Sequence, residues 1–213
     1  MGQPLVVKNL GEKPYAETWQ AMKSFTDSRD ERAADEFWFV QHPPVYTLGQ
    51  AGKVEHLLRP GDIPIVHSDR GGQVTYHGPG QLVCYLLLDI RRLQLGVRDL
   101  VTAIEQSIVQ LINSYGVAAE AKPEAPGVYV DGRKLAALGL RIRKGRSYHG
   151  LSLNVDMDLG PFSNINPCGI EGLEVVDMKR PGIARPMAKI MEEQTDILVQ
   201  QIGYDGEPRL RTL

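Results

Sequence analysis

Two cysteines stand at positions 84 and 168, and their surroundings suit them to different chemistry. Cys84 lies inside QLVCYLLLD, an apolar stretch in which a free thiol packs as a small hydrophobe. Cys168 lies in FSNINPCGIEG, between Pro167 and Gly169, among turn formers with little apolar material. Such a loop exposes its thiol and lets backbone amides approach a substrate carbonyl. Spacing alone leaves open a reactive nucleophile and an incidental loop cysteine. The two do not form a C-x-x-C pair, and a reducing cytosol disfavours the single disulfide they could make. The five histidines, at 42, 56, 67, 77 and 149, are scattered and not set at zinc-ligand spacing.

A lysine is the candidate partner for the thiol. In RKLAALGLRIR, Lys134, Ala136, Leu138, Leu140 and Ile142 share one parity, while Arg133, Arg141 and Arg143 share the other. In a strand without a bulge, Lys134 points to the apolar side. A buried ammonium is costly unless paired, which suits such a lysine to acid–base work; the alternative is a lysine that fringes the turn and snorkels to water. His149 shares parity with Leu151, Leu153 and Val155, so it too is expected to face inward, as a hydrogen-bonded core residue or as part of a site. DRGGQVTYHGPGQ has five glycines and prolines at loop positions, with Arg70 and His77 interleaved. It matches neither nucleotide-binding glycine pattern and no helix follows it, so a loop lining a small-ligand pocket is expected. RIRKGR, Arg141 to Arg146, is a basic patch at a hairpin tip: a solvated tip, or a docking point for an acidic partner.

The elements that must position these groups follow from periodicity. Tyr15 to Asp27 reads as a helix, and EFWFVQH, PPVYTLG and IPIVHSD as strands. QLVCYLLLDI is apolar on both parities, which predicts a central strand covered on both faces. Leu100, Ile104, Ile108, Leu111 and Tyr115 predict a helix from about Val97 to Tyr115, stopped by Gly116. PGVYV, RKLAALGLRIR and SYHGLSLNVD form a meander turning at Asp131-Gly132 and Lys144-Gly145. A last helix starts near Pro186 and carries Met187, Ile190, Met191, Ile197 and Leu198. The fold class expected is α+β, a mixed and largely antiparallel sheet with flanking helices. With 213 residues and no linker or repeat, one domain spanning 1–213 is expected. A net charge of −2 gives no reason to expect nucleic acid or an anionic membrane. There is no bilayer-length apolar run, no signal-peptide layout, and Val6 spoils a myristoylation site, so a cytoplasmic protein is expected.

RGGQVTYHGPGQ (70 to 81), GVYVDGRKLAALGLRIRKGRSYHGLSLNVDMD and INPCG together resemble the lipoyl(octanoyl) transferases, in order along nearly the whole chain from about Leu5 to Met191. One departure is Leu86 after Tyr85, where the family usually has proline. The resemblance implies the fold shared by biotin protein ligases and lipoate–protein ligases. It implies transfer of an octanoyl (or lipoyl) group from acyl carrier protein to a specific lysine of lipoyl domains, those of 2-oxoacid dehydrogenase complexes and the glycine cleavage H protein. Cys168 matches the family's acyl-thioester nucleophile and Lys134 its partner. Substrate contacts carry over to Arg70, Gly71, Gly72, Gln73, Val74, Thr75, Tyr76 and His77, to Ala137, Leu138 and Gly139, and to His149, Gly150, Leu151 and Ser152. No ATP, metal or other cofactor is implied, since a thioester donor is already activated; octanoyl-acyl carrier protein is a substrate. The rival expectations are a cysteine amidase or peptidase with His77 or His149 as base, an ATP-dependent ligase, and a non-catalytic acyl carrier.

Overall fold

A computed structural model describes residues 5–204 with their side chains and the backbone of 209–212. At its centre lies β6 (Gln81–Leu87), buried along its whole length. Its alternate residues feed two separate cores. Leu82, Cys84 and Leu86 join the larger one, with Leu100, Ile104, Ile108 and Leu111 of α2 (Val97–Ser114) and Ile190, Leu198 and Ile202 of α3 (Met187–Ile202). Val83, Tyr85 and Leu87 join the other, under Met22, Trp19 and Phe25 of α1 (Tyr15–Ser28). A strand with both faces covered must be apolar on both parities, the pattern this segment shows.

Around β6 the large sheet runs, in spatial order, β11 (Arg209–Thr212), β1 (Leu5–Glu12), β2 (Asp35–Gln41), β6, β10 (Arg146–Asn154), β9 (Arg133–Arg143), β8 (Val128–Val130) and β7 (Glu120–Ala121). Among the described residues, only the β11–β1 and β1–β2 pairings are parallel in it. A second sheet orders β4 (Ile65–His67), β3 (Val45–Leu48) and β5 (Val74–His77). The architecture is thus α+β with a mixed, largely antiparallel sheet, and the expected helices and meander are present. Four strands were not expected: β1, β7, β11, and β5, which lies within the glycine-rich segment. Each is short or paired far along the chain, β1 with Asp35–Gln41 and β5 with Val45–Leu48.

Candidate active site

β9, β10 and the 70–77 segment enclose a cavity of about 490 Å³ whose lining includes Lys134 and Cys168. Cys168 sits in a tight turn, Pro167–Gly169, with φ 59, and Gly169 follows at φ 73. Left-handed backbone is unfavourable for a side chain such as cysteine and persists where the surroundings fix it. They do so here: Asn166 N–H donates to His56 O at 2.9 Å, Gly169 N–H to Asn166 O at 2.9 Å and Ile170 N–H to Pro167 O at 3.1 Å. The thiol is half-buried, and both cysteines are free. Of the loop's amides, which were expected to approach a substrate carbonyl, those of Gly169 and Ile170 are engaged within the turn.

Lys134 is buried, though not for the reason parity gave. Val128 pairs with Ala136 and Tyr129 with Lys134, so Leu135 is an extra residue, a β-bulge. Leu135 and Ala136 both enter the larger core, and Lys134 turns to the opposite face beside Tyr129, its ammonium 5.3 Å from the ring centroid. There Nζ donates to Pro126 O at 2.8 Å and to Cys168 Sγ at 2.9 Å. Two of its three protons are thereby used. The backbone at Lys134 is clamped by Glu174 O and Val176 N–H, at 2.9 and 3.0 Å. Gly127, at φ 140, lies so close that a Cβ there would come within 2.5 Å of Lys134 Cε.

His149 is likewise inward on a different face from the one expected. Its φ of 60 turns the ring away from Leu151 and Leu153 to stack on Tyr148, with centroids 5.1 Å apart. Its Nε2 faces Asp69 Oδ1 at 3.0 Å. Asp69 also accepts from Trp19 Nε1 at 2.7 Å and the Tyr148 hydroxyl at 2.6 Å. Burial opposes the Asp69 charge, but these hydrogen bonds outweigh it and hold the carboxyl well below the usual range. Burial pushes His149 down, against the pull of Asp69.

His77 borders the cavity, and His42 packs behind it with ring centroids 5.9 Å apart; with Asp69, also outside the lining, they form the floor layer of the site. Gln81 Nε2 donates to Asn154 Oδ1 at 2.9 Å and to Tyr76 O at 3.2 Å, which leaves Oε1 to accept from His77 Nδ1 at 2.7 Å. His77 Nε2 faces Thr47 Oγ1 at 3.4 Å. His42 donates from Nδ1 to Lys13 O at 2.6 Å and accepts from the Tyr85 hydroxyl at 2.7 Å. Burial pushes His77 down to about 3 and His42 to about 4, so both are neutral at neutral pH. With each ring nitrogen engaged, His77 has none free to act as a base on Cys168.

Of the substrate contacts carried over by resemblance, Gly71, Gly72, Gln73, Val74, Thr75, His77, Ala137, Leu138, Gly139, His149, Gly150, Leu151 and Ser152 border the cavity. Arg70 borders it as well, but its guanidinium is committed to Thr47 O (2.6 Å), Thr47 Oγ1, Gln73 O (2.7 Å) and Gly71 O (2.9 Å), so it fixes the loop. Tyr76 does not border it. Strand alternation turns its ring into the cluster of Tyr46 and Phe162. Sequence reasoning missed Asp69, Pro126 and Tyr129; the run APG before VYV is the one local sign of the last two. The RIRKGR patch is also smaller than expected. Arg146 is buried, bonded to Asp89 and to Arg29 O at 2.7 Å, and Arg143 pairs with Asp27 at 2.8 Å. Among the described residues no cluster of three or more His, Cys, Asp or Glu could hold a metal ion, and no helix is long and apolar enough to cross a membrane.

A thiol facing a buried lysine at the edge of a large cavity, on this fold, defines a class that comparison identifies. Residues 14–202 match the family described as "Lipoyl protein ligase A/B catalytic domain", and the chain belongs to that family. It is 59% identical over 201 residues to a protein of Shewanella amazonensis named octanoyltransferase, covering 94% of this chain and 93% of that one. It is 56% identical over 205 residues to the octanoyltransferase of Vibrio vulnificus, covering 96% and 94%. Among solved structures, a bi-partite lipoate protein ligase from Thermoplasma acidophilum superposes with a TM-score of 0.76 at 14% identity, over 99% of this chain and 88% of that one. A biotin protein ligase from Aquifex aeolicus gives 0.54 at 10% identity, over 95% and 69%. These two show a shared fold.

Proposed function

We propose that residues 1–213 form one octanoyltransferase catalytic domain, which moves an octanoyl (or lipoyl) group through a thioester on Cys168 to a lysine of a lipoyl domain. The observation that carries this reading is the 2.9 Å contact between Lys134 Nζ and Cys168 Sγ at the edge of the cavity. Relatives named octanoyltransferase at 56–59% identity support the acyl group and the acceptor class, and the enzyme is an acyltransferase.

The chemistry divides into two balanced halves. Cys168 thiolate attacks the donor's thioester carbon, a carbon–sulfur bond forms, and the tetrahedral adduct expels the donor thiolate, which takes a proton from the Lys134 ammonium. The acceptor lysine, as its free amine, then attacks the Cys168 thioester. It gives a proton to neutral Lys134, and the amide forms as Cys168 leaves as thiolate. Splitting the transfer through a covalent intermediate replaces one difficult step by two easier ones. The donor is acyl carrier protein, whose thioester supplies the driving force, so neither ATP nor metal takes part. The acceptors are lipoyl domains of 2-oxoacid dehydrogenase complexes and the glycine cleavage H protein, and the reaction runs in the cytoplasm.

Intact mass tests this reading. Mixed with octanoyl-acyl carrier protein, the protein should gain one octanoyl group on Cys168, removable by hydroxylamine and lost on adding a lipoyl domain. Label on Cys84, or no label in an active preparation, would sink the mechanism. Release of octanoate to water without any acceptor would indicate a hydrolase instead.

A further inference from the structure

Attack on a thioester turns its carbonyl oxygen into an oxyanion, and the site must meet that oxygen with donors. The turn that carries Cys168 does not supply them from its following amides, which are bonded to Asn166 O and Pro167 O. Behind the thiol lies a second cavity of about 10 Å³. That is room for about one oxygen-sized atom. Thr75, Lys134, Ala137, Ser152 and Cys168 border both cavities and so form the partition between them.

The donors around the small cavity divide sharply. Gln81 and Asn154 border the small cavity alone: both protons of Gln81 Nε2 go to Asn154 Oδ1 and Tyr76 O, and Asn154 Nδ2 donates to Val176 O. The hydroxyls of Thr75 and Ser152 have no hydrogen-bond partner among the described residues, though the two residues are only 9% and 5% exposed. Neither hydroxyl is sealed away: each oxygen keeps accessible surface where its residue borders the two cavities, so it is free to donate to a ligand there. β5, which carries Thr75, packs directly on the Cys168 turn, whereas Ser152 lies on β10, across from Ala137.

We propose that Thr75 is a catalytic residue that donates its hydroxyl proton in a hydrogen bond to the carbonyl oxygen of the acyl group on Cys168, with Ser152 as the lesser second donor. The inference rests on the acyl-transfer reading above. As sulfur attacks, the carbonyl π pair moves onto oxygen, which settles beside the two hydroxyls. When the donor thiolate leaves, the pair returns and the hydrogen bonds relax. The same oxygen is met again when the acceptor amine attacks. Lys134 is left to the proton that travels between sulfur and nitrogen.

Rapid-quench acylation of Cys168 by an octanoyl thioester tests this, compared with alkylation by iodoacetamide, which attacks no carbonyl and forms no oxyanion. Thr75→Val keeps the shape and removes the donor; acylation should slow by ~10². Its iodoacetamide rate against pH should match that of the wild type. Thr75→Ser, which keeps the hydroxyl, should recover most of the loss. Ser152→Ala should fall less than Thr75→Val, and an equal or greater fall would overturn the ranking of the two donors. Unimpaired acylation by Thr75→Val would overturn the proposal. So would an alkylation profile that moves with the acylation rate, because the hydroxyl would then act on the thiol–lysine pair and not on the carbonyl. Wild-type protein that never takes up acyl label would refute octanoyl transfer itself, an outcome distinct from wild-type acylation with an unimpaired valine variant.

Discussion

In the floor layer at and behind the cavity wall, His42 and His77 each hold a partner at both ring nitrogens, and Asp69 accepts three hydrogen bonds. At its reactive end, one lysine meets one thiol, with a carbonyl on its far side and a proton left over. The floor has more titratable groups, yet their partners fix each in one protonation state. The end has few, and they keep an unfilled valence. Catalysis needs a proton that can move, so the sparse region carries the chemistry and the crowded one holds it in place.

Replacing Lys134 is the strongest way to break that contrast. For a thiol of pKa ~8.5, lowering the pKa by ~2 units raises the thiolate fraction roughly 25-fold. Nucleophilicity falls about 8-fold along the way, so the net gain is only about 3-fold. Proton transfer is worth ~10²–10⁴. Arginine keeps the charge but holds its proton at working pH. Lys134→Arg and Lys134→Met should therefore both lose ~10² or more in octanoyl transfer, with folding intact by circular dichroism. Near-wild-type transfer by Lys134→Arg would show that charge alone suffices.

The floor should reveal itself in stability. Burial holds His77 at about 3 and His42 at about 4, below the unfolded value of 6.5. Between those limits the unfolded chain binds protons that the folded chain refuses. Stability therefore rises with pH from about 4 to about 6.5 and is fully present above that, roughly 3 kcal/mol for His42 alone. His149, also pushed down by burial, adds in the same direction. Thermal melts from pH 4.5 to 7.5 should show this slope in the wild type and a shallower one in His42→Phe. Lys134→Met should keep the full slope. Parallel curves for wild type and His42→Phe would mean that the floor does not refuse protons.

The same contrast separates what was legible in the sequence from what was not. QLVCYLLLDI announced a strand covered on both faces, because apolar residues at both parities have no other use in a sheet. Lys134 was legible as a buried lysine, but its face was not. The bulge at Leu135 depends on how Val128 and Tyr129 pair across the hairpin, and strand parity assumes an even register. His149 was misplaced for a related reason: nothing local marks a histidine that adopts φ 60 inside a strand. Tyr76 fell among true cavity residues by adjacency, and only β5, unread in a glycine-rich stretch, shows that its alternate side chains part company. The chemistry-bearing residues stood out by type, whereas their orientation was set by pairings distant in the chain.

The smallest effect should come from the other cysteine. Cys84 sits mid-strand on β6, across from Phe39 on one side and Leu151 on the other, with no exposed surface. Burial pushes its thiol well up, so it stays neutral and unreactive while the protein is folded. Cys84→Ala removes one sulfur from a packed core and should cost about 1 kcal/mol. In a chain of this size that lowers Tm by ~2–4 °C. Octanoyl transfer, and the single octanoyl adduct, should be unchanged. Iodoacetamide under native conditions should add once, at Cys168; after unfolding in denaturant it should add twice to the wild type and once to Cys84→Ala. A second adduct on the folded wild type would mean that β6 opens on the labelling timescale, and the core that backs the site would be less fixed than its packing implies.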